Sequence, residues 1–176
     1  CGSGIIDLIS ELFRCGIINP KGKFVREGRR IRHDKYGMGS YVLVFKEDAA
    51  SVKDVEINEV DIDNFMRAKG AIFSAIRVML NSLDFTVDMI DDVYVAGGIG
   101  SGIDMKNAVN IGMFPDIPIE NFHYIGNSSL SGSYIMLLSN QAEKKVNDIA
   151  HNMTYLELSN EPTYMDEFVA SCFLPH

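Results

Sequence analysis

The hydrophobic residues of the chain follow two kinds of pattern. In some stretches they recur at helical spacing, and in others they form short continuous runs. Helical spacing predicts helices over about residues 5–14, 59–83, 134–149 and 164–172, and a shorter one from Asp104 through Val109. The apolar runs predict strands at residues 41–45, 54–57, 93–96, 122–125 and 154–158. Helices that alternate with strands favour an α/β fold with helices flanking the sheet.

Length and composition are those of one globular domain over residues 1–176, with 47% hydrophobic residues. No apolar run is long enough to cross a membrane, so we expect no membrane association. The chain begins with Cys1 instead of Met, which predicts a piece of a longer protein. Cys1, Cys15 and Cys172 lie far apart and the four histidines are scattered, a pattern that indicates a reducing cytoplasm and no metal site.

The net charge of −8 is distributed unevenly. Residues 14–35 hold eight basic and two acidic side chains, whereas the remainder holds eight basic and twenty-two acidic ones. An acidic body argues against nucleic-acid binding. The basic segment is interpreted as a solvated face, with a docking surface for an acidic partner as the alternative.

Four glycines follow the predicted strand at residues 93–96, namely Gly97, Gly98, Gly100 and Gly102. Glycine leaves the main chain bare, so a turn of this kind at the carboxyl end of a strand suits a phosphate or a nucleotide. The alternative is a tight turn without a ligand. Asp104 is predicted to cap the helix that follows.

A second predicted strand ends in small polar residues, because residues 122–125 run into Gly126, Asn127, Ser128 and Ser129. Two such units side by side build a crevice at the carboxyl ends of parallel strands. A third candidate is the start of the first helix, where Gly2, Ser3 and Gly4 leave amides open to an anion. The competing interpretation is that Ser3 only caps that helix.

Lys69 falls within the apolar stripe of the longest predicted helix, between Phe65 and Phe73 in angle. A buried ammonium is costly unless it finds a partner. The functional interpretation is that Lys69 reaches a ligand phosphate, ribose or base. The alternative is snorkelling or an internal salt bridge.

Taken together, the motifs resemble the C-terminal part of the reductive activators of corrinoid proteins. The resemblance covers nearly the whole chain, in order, and rests on residues 1–7, 61–63, 68–72, 93–98 with Gly100, 111–112 with 115–116, 126–127 with 129–130 and Gly132, and 155–159 with 173–175. Two positions depart from the family's form, Ile99 where Phe is usual and Ser101 where Asn is common.

The resemblance implies a lobe of the acetate and sugar kinase, heat-shock chaperone and actin superfamily, an actin-like ATPase lobe of ribonuclease H-like α/β fold with a mixed sheet. Such proteins clamp ATP with Mg between two lobes, and this chain resembles the second lobe. By that analogy the nucleotide lies by Gly97, Gly98, Gly100 and Ser101, and the same cleft is bordered by Gly2, Ser3, Gly4, Lys69, Asn127, Ser128 and Ser129.

The family uses ATP to return a corrinoid protein from inactive Co(II) to Co(I), with electrons from iron–sulfur clusters in other domains. The implied partner is therefore a corrinoid protein, and homodimer formation is left open. One alternative is a docking module that binds the corrinoid protein through Arg26, Arg29, Arg30 and Arg32. A sugar or carboxylate kinase lobe is a third reading, for which the sequence offers no catalytic base.

The resemblance places the first-lobe phosphate loops outside this chain, so we expect the isolated chain to release phosphate from ATP no faster than buffer alone. A phosphate-release assay measures this, with a full-length activator as the positive control. Turnover clearly above the buffer blank would contradict the expectation.

Overall fold

The computed structural model describes residues 2–50, 52–98 and 100–175. Its strands are β1 (Ile31–His33), β2 (Gly39–Val44), β3 (Val55–Asn58), β4 (Val93–Val95) and β5 (Phe122–Tyr124). Its helices are α1 (Gly2–Arg14), α2 (Glu59–Ser82), α3 (Met105–Asn110), α4 (Ser128–Leu138), α5 (Asn140–Asn152) and α6 (Tyr164–Ser171). None of the described helices is long and apolar enough to span a bilayer.

The first three strands form an antiparallel sheet in the order β1–β2–β3. Tyr41 of β2 lies opposite Ile31 on one side and Ile57 on the other. The β1–β2 turn is held by the Asp34 carboxylate, which accepts the backbone amides of Tyr36 and Met38. The pairing predicted for residues 41–45 and 54–57 is therefore present.

Strands β4 and β5 form a separate parallel pair, in which Val93 lies opposite Phe122 and Val95 opposite Tyr124. A parallel pair needs a crossover connection. Helix α3 lies within that connection. The structure thus has the predicted α/β character, with its described strands divided between two sheets.

The core lies where α1, α2 and α3 meet. Ile6, Ile9 and Leu12 of α1 pack with Ile62 and Met66 of α2 in one buried cluster. The same cluster includes Ala108, Ile111 and Leu174, and also Ile18, Phe24 and Ile57. The sequence at residues 58–61 also predicts a cap for α2, and it is present: Asn58 accepts the amides of Val60 and Asp61, and the Asp61 carboxylate accepts the amide of Asn58.

The strand predicted over residues 154–158 is wrong. Residues 153–157 have no strand partner, and Leu158–Asn160 form a 3₁₀ turn. Side chains of this segment pair with one another, because the Glu157 carboxylate accepts hydrogen bonds from the hydroxyls of Tyr155 (2.6 Å) and Ser159 (2.8 Å). A short apolar run does not form a strand unless a neighbouring strand is available to pair with it.

The single helix predicted over residues 134–149 is also wrong, because two helices meet at Ser139. Ser139 has an extended backbone (φ −148°), and its hydroxyl accepts the amide of Ala142 and so caps α5. In addition, α4 begins at Ser128, before the predicted start. Ser128 and Ser129 therefore lie in the first turn of this helix, before the start that the sequence predicted.

We expect Ile62→Ala to lower the free energy of unfolding by about 2–5 kcal/mol, because it leaves a cavity in the core. Ile72→Ala in the same helix is the matched control: Ile62 is 0% exposed and Ile72 is 37% exposed. Urea denaturation of both variants measures the difference. Equal losses of stability would contradict the placement of the core.

Candidate functional site

The two glycine turns lie side by side at the carboxyl ends of β4 and β5. Gly97 (φ +103°) follows β4, and Gly126 (φ +69°) follows β5. The backbone N–H of Gly97 donates to the carbonyl oxygen of Gly126 at 2.9 Å. This hydrogen bond joins the turns into one edge, as the pairing of two strand–glycine–helix units predicted.

The glycines of the first turn have different surroundings. A Cβ atom at Gly97 or Gly98 would meet nothing within 4 Å, so the space beside the main chain there is open, while the Gly97 amide and carbonyl are themselves hydrogen-bonded to Gly126 and Tyr124. A Cβ atom at Gly100 would lie 2.6 Å from the Tyr124 ring. Tyr124 therefore packs against Gly100 and leaves no room for a side chain there. The Tyr124 hydroxyl also donates a hydrogen bond to the Gly97 carbonyl at 2.8 Å.

The start of α1 forms a third part of this edge. A Cβ atom at Gly102 would lie 3.0 Å from Ser3 Oγ, whereas one at Gly4 would meet nothing within 4 Å. Because α1 begins at Gly2, Gly2, Ser3 and Gly4 form its first turn. The helix therefore starts before the predicted residue 5, and the interpretation of Ser3 as its cap is wrong because Ser3 lies inside the helix.

The remaining predicted residues lie on the same edge and are exposed. Ser101 Oγ donates to the Gly98 carbonyl at 3.1 Å. The side-chain oxygen of Asn127 accepts the amide of Leu130 at 3.0 Å and so caps α4. The Ser128 amide donates to Gly126, and the Ser129 carbonyl accepts the Ser133 hydroxyl. Cys1 and Ile99, also named by the sequence, lie outside the described residues.

Asp104 caps α3 as predicted, since its carboxylate accepts the amides of Lys106 (2.9 Å) and Asn107 (3.4 Å). A carboxylate at that position neutralises the positive end of the helix. The start of α3 is therefore a poor place for a phosphate, and the open main chain at Gly98 and Gly4 is a better one.

A row of hydrogen bonds between α1 and α3, here called the polar seam, was not predicted from the sequence. Asn107 donates to the Asp7 carboxylate (2.7 Å) and accepts from the Ser10 hydroxyl (2.9 Å), and Asn110 donates to Ser10 (2.9 Å). The signal was available: Ser3, Asp7 and Ser10 follow helical spacing along α1. This seam fixes α3 against α1 directly below the contact between Ser3 and Gly102.

The family described as "C-terminal domain of RACo the ASKHA domain" matches residues 1–176. This chain belongs to that family. It is 28% identical over 177 residues to the corrinoid activation enzyme RamQ of Eubacterium limosum, covering 96% of this chain and 30% of RamQ. It also resembles a solved reductive activator for corrinoid, iron-sulfur protein, with a TM-score of 0.90 and 47% identity over 100% of this chain and 28% of that one. The chain thus spans less than a third of the length of these relatives.

In this ASKHA domain Lys69 lies in the buried packing of α2. Its side chain is fully buried, and its ammonium donates to the carbonyl oxygen of Phe173. Burial lowers the pKa of Lys69 to about 8. The ammonium therefore does not snorkel to water, and in this conformation it contacts the C-terminal segment in place of an open cleft.

The arginines proposed for docking also make contacts within the ASKHA domain. Arg30 donates to the carbonyls of Val42 and Leu43, and Arg29 lies over the Phe45 ring at 4.4 Å. In addition, Arg26 donates to the Gly16 carbonyl, and Arg32 pairs with Asp54 at 2.7 Å. These side chains hold the β1–β2–β3 sheet and its flanks, which is a structural role.

A cavity of about 600 Å³ lies between α2 and α3. Its walls include the aromatic rings of Phe73 and Phe114 and the charged side chains of Lys106 and Asp116. None of the predicted site residues lines it. Within the described ranges, no group of three or more His, Cys, Asp or Glu side chains is placed to hold a metal ion.

We expect Gly100→Ala to destabilise the ASKHA domain by about 1–3 kcal/mol, because the added methyl group collides with Tyr124 and Val95. Gly98→Ala is the matched control within the same turn and should change stability by less than about 0.5 kcal/mol. Chemical denaturation compares the two. If Gly98→Ala were the more destabilising, the assignment of the packed and open glycines would be wrong.

Proposed function

We propose that this ASKHA domain is the C-terminal nucleotide-binding lobe of an ATP-dependent activator that returns a corrinoid protein from Co(II) to Co(I). The observation that carries the proposal is the edge formed by the Gly97 and Gly126 turns and the start of α1. The similarity to a corrinoid activation enzyme and to a reductive activator for corrinoid, iron-sulfur protein supports the reaction.

The open main chain of this edge suits a nucleotide. Gly97, Gly98 and Gly4 leave space where other residues would place a Cβ atom, so ribose and phosphates can approach the backbone. The first turn of α1 adds amides and the positive end of a helix of 13 residues, which favour an anion. Ser101, Ser128 and Ser129 add exposed hydroxyls beside them.

ATP supplies the free energy of hydrolysis that an uphill electron transfer requires. We propose that its Mg²⁺ is held through the phosphates and water, since Mg²⁺ keeps several waters and needs few protein ligands. That arrangement fits an edge of backbone amides and hydroxyls, where the described residues offer no cluster of carboxylates.

The partner and the electron source belong to the proposal as well. Relatives are more than three times as long as this chain, and we propose that iron–sulfur clusters and the first nucleotide lobe lie in their other regions. The corrinoid protein is the proposed partner, and the cytoplasm is the proposed compartment because Cys15 and Cys172 are free thiols.

Neither alternative gains support from an observation of the structure. The arginines of the docking alternative make contacts that hold the antiparallel sheet, and of the four only Arg32 is paired with a carboxylate. For the kinase alternative, no catalytic base is identified among the described residues of the edge formed by the Gly97 and Gly126 turns and the start of α1. Lys69, named as a nucleotide ligand, finds a protein carbonyl for its ammonium, so the proposal does not depend on it.

We expect ATP to shift the backbone amide resonances of Gly97, Gly98 and residues 126–129 in a two-dimensional NMR titration of the chain. NMR is the suitable method because one lobe alone should bind weakly. Gly98→Ala should reduce the apparent affinity by about tenfold or more, since a methyl group occupies the space that the ligand needs.

Gly132→Ala in α4 is the matched control, because its added Cβ atom also meets nothing within 4 Å but lies away from the turns. This variant should bind ATP like the wild type. Resonance shifts confined to other parts of the domain, or equal affinity of the Gly98→Ala variant, would refute the proposed nucleotide edge.

A further inference from the structure

The polar seam between α1 and α3 runs in one direction only. The Asp7 carboxylate can only accept hydrogen bonds, so the side-chain nitrogen of Asn107 faces it at 2.7 Å. That orientation turns the side-chain oxygen of Asn107 toward Ser10, whose hydroxyl donates to it at 2.9 Å. The Ser10 oxygen in turn accepts from the side-chain nitrogen of Asn110 at 2.9 Å. The Asp7 carboxylate therefore fixes the orientation of every group in the polar seam.

Burial makes the polar seam sensitive to the relative position of the two helices. Ser10 is 1% exposed, and Asp7 and Asn107 are half-buried. A buried polar group that loses its partner costs free energy, and a hydrogen bond weakens steeply when its geometry is poor. The apolar contacts of the same two helices, which include Ile9 and Ala108, are not directional. The polar seam therefore sets how α3 is placed along α1.

The polar seam lies next to the nucleotide edge, which is formed by the Gly97 and Gly126 turns and the start of α1. Ser3 precedes Asp7 by four residues, or about 6 Å along the helix axis. On the other side of this contact, a Cβ atom at Gly102 would lie 3.0 Å from Ser3 Oγ. Because the turn after β4 leads into α3, a shift of α3 along α1 would change the distance between that turn and the first turn of α1.

We propose that Asp7 and Asn107 are positioning residues for the nucleotide, which neither side chain touches. Their hydrogen bond holds the first turn of α1 and the turn around Gly98 at the spacing at which both reach the phosphates of one ATP molecule. This inference rests on the proposed function, because it takes the nucleotide edge as the ATP site. It goes further by naming two residues outside that edge on which the affinity for ATP depends.

Charge gives a second reason to assign Asp7 a positioning role. A carboxylate one helical turn from a phosphate site repels the phosphates, so direct binding of ATP by Asp7 would be unfavourable. The hydrogen bond from Asn107 directs the Asp7 carboxylate to α3 instead. The side chain of Asn107 is likewise engaged at both ends, by Asp7 and by Ser10. Both residues therefore act on the nucleotide through the position of the helices.

The test compares variants of the chain in an NMR titration with ATP. Asn107→Leu keeps a similar volume and adds no charge, but it removes both hydrogen bonds of Asn107. We expect this variant to bind ATP about tenfold or more weakly than the wild type. The exchange variant, Asp7→Asn with Asn107→Asp, keeps the net charge and a hydrogen-bonding amide–carboxylate pair between the same two positions. It should bind ATP within about threefold of the wild type.

Val78→Ala is the matched control for a general loss of stability. Val78 is 2% exposed in α2, and its truncation leaves a cavity without removing a hydrogen bond of the polar seam. Urea denaturation establishes that each variant is folded before the titration. Val78→Ala should bind ATP like the wild type. If Asn107→Leu does not fold, Asn110→Ala takes its place, because it removes only the last hydrogen bond of the polar seam, and it should weaken ATP binding about threefold.

Wild-type affinity for ATP in Asn107→Leu, or in Asn110→Ala in its place, would overturn the positioning role. Equal weakening by Val78→Ala would overturn it as well, because a general loss of stability would then explain the result. So would weak binding by the exchange variant, since the hydrogen bond would be present without the affinity. If the wild type itself shows no ATP-induced shifts, the nucleotide edge is refuted and this inference with it. Failure of the proposed function is thus distinguishable from failure of the positioning role alone.

Discussion

The parallel pairing of β4 with β5 is the constraint on which the candidate site depends. Each strand has only three residues, and the pair brings two turns that are 29 positions apart in sequence into hydrogen-bonding contact. Because parallel strands end at the same edge, the bare backbone of Gly97 and Gly98 faces the start of α4. An antiparallel pair would have placed the two turns at opposite ends.

Helix α1 turns this edge into part of a cleft. Its apolar side contributes Ile6, Ile9 and Leu12 to the core, and its polar side carries the seam with Asn107. The apolar contacts supply most of the stabilisation, whereas the seam fixes how α3 lies along α1. The contact of Ser3 with Gly102 follows from that arrangement.

The C-terminal segment closes over α2. Helix α6 packs on α2 where Gly70 allows Cys172 to approach, and the Leu174 amide donates to the Pro20 carbonyl at 2.9 Å. Lys69 belongs to this closure, since its ammonium binds the Phe173 carbonyl. A buried lysine with a lowered pKa, often a sign of a functional site, here binds the main chain at Phe173.

The sequence by itself determined the features that depend on neighbouring residues. The glycines after β4, the capping residues Asn58 and Asp104 and the apolar stripe of α2 are local signals, and the structure contains each of them. The tertiary structure decided which glycines pack and which are open, the partner of Lys69, the division of the strands into two sheets and the absence of a strand at residues 154–158. These depend on contacts between residues far apart in the chain, and such contacts leave no periodic trace in a single sequence.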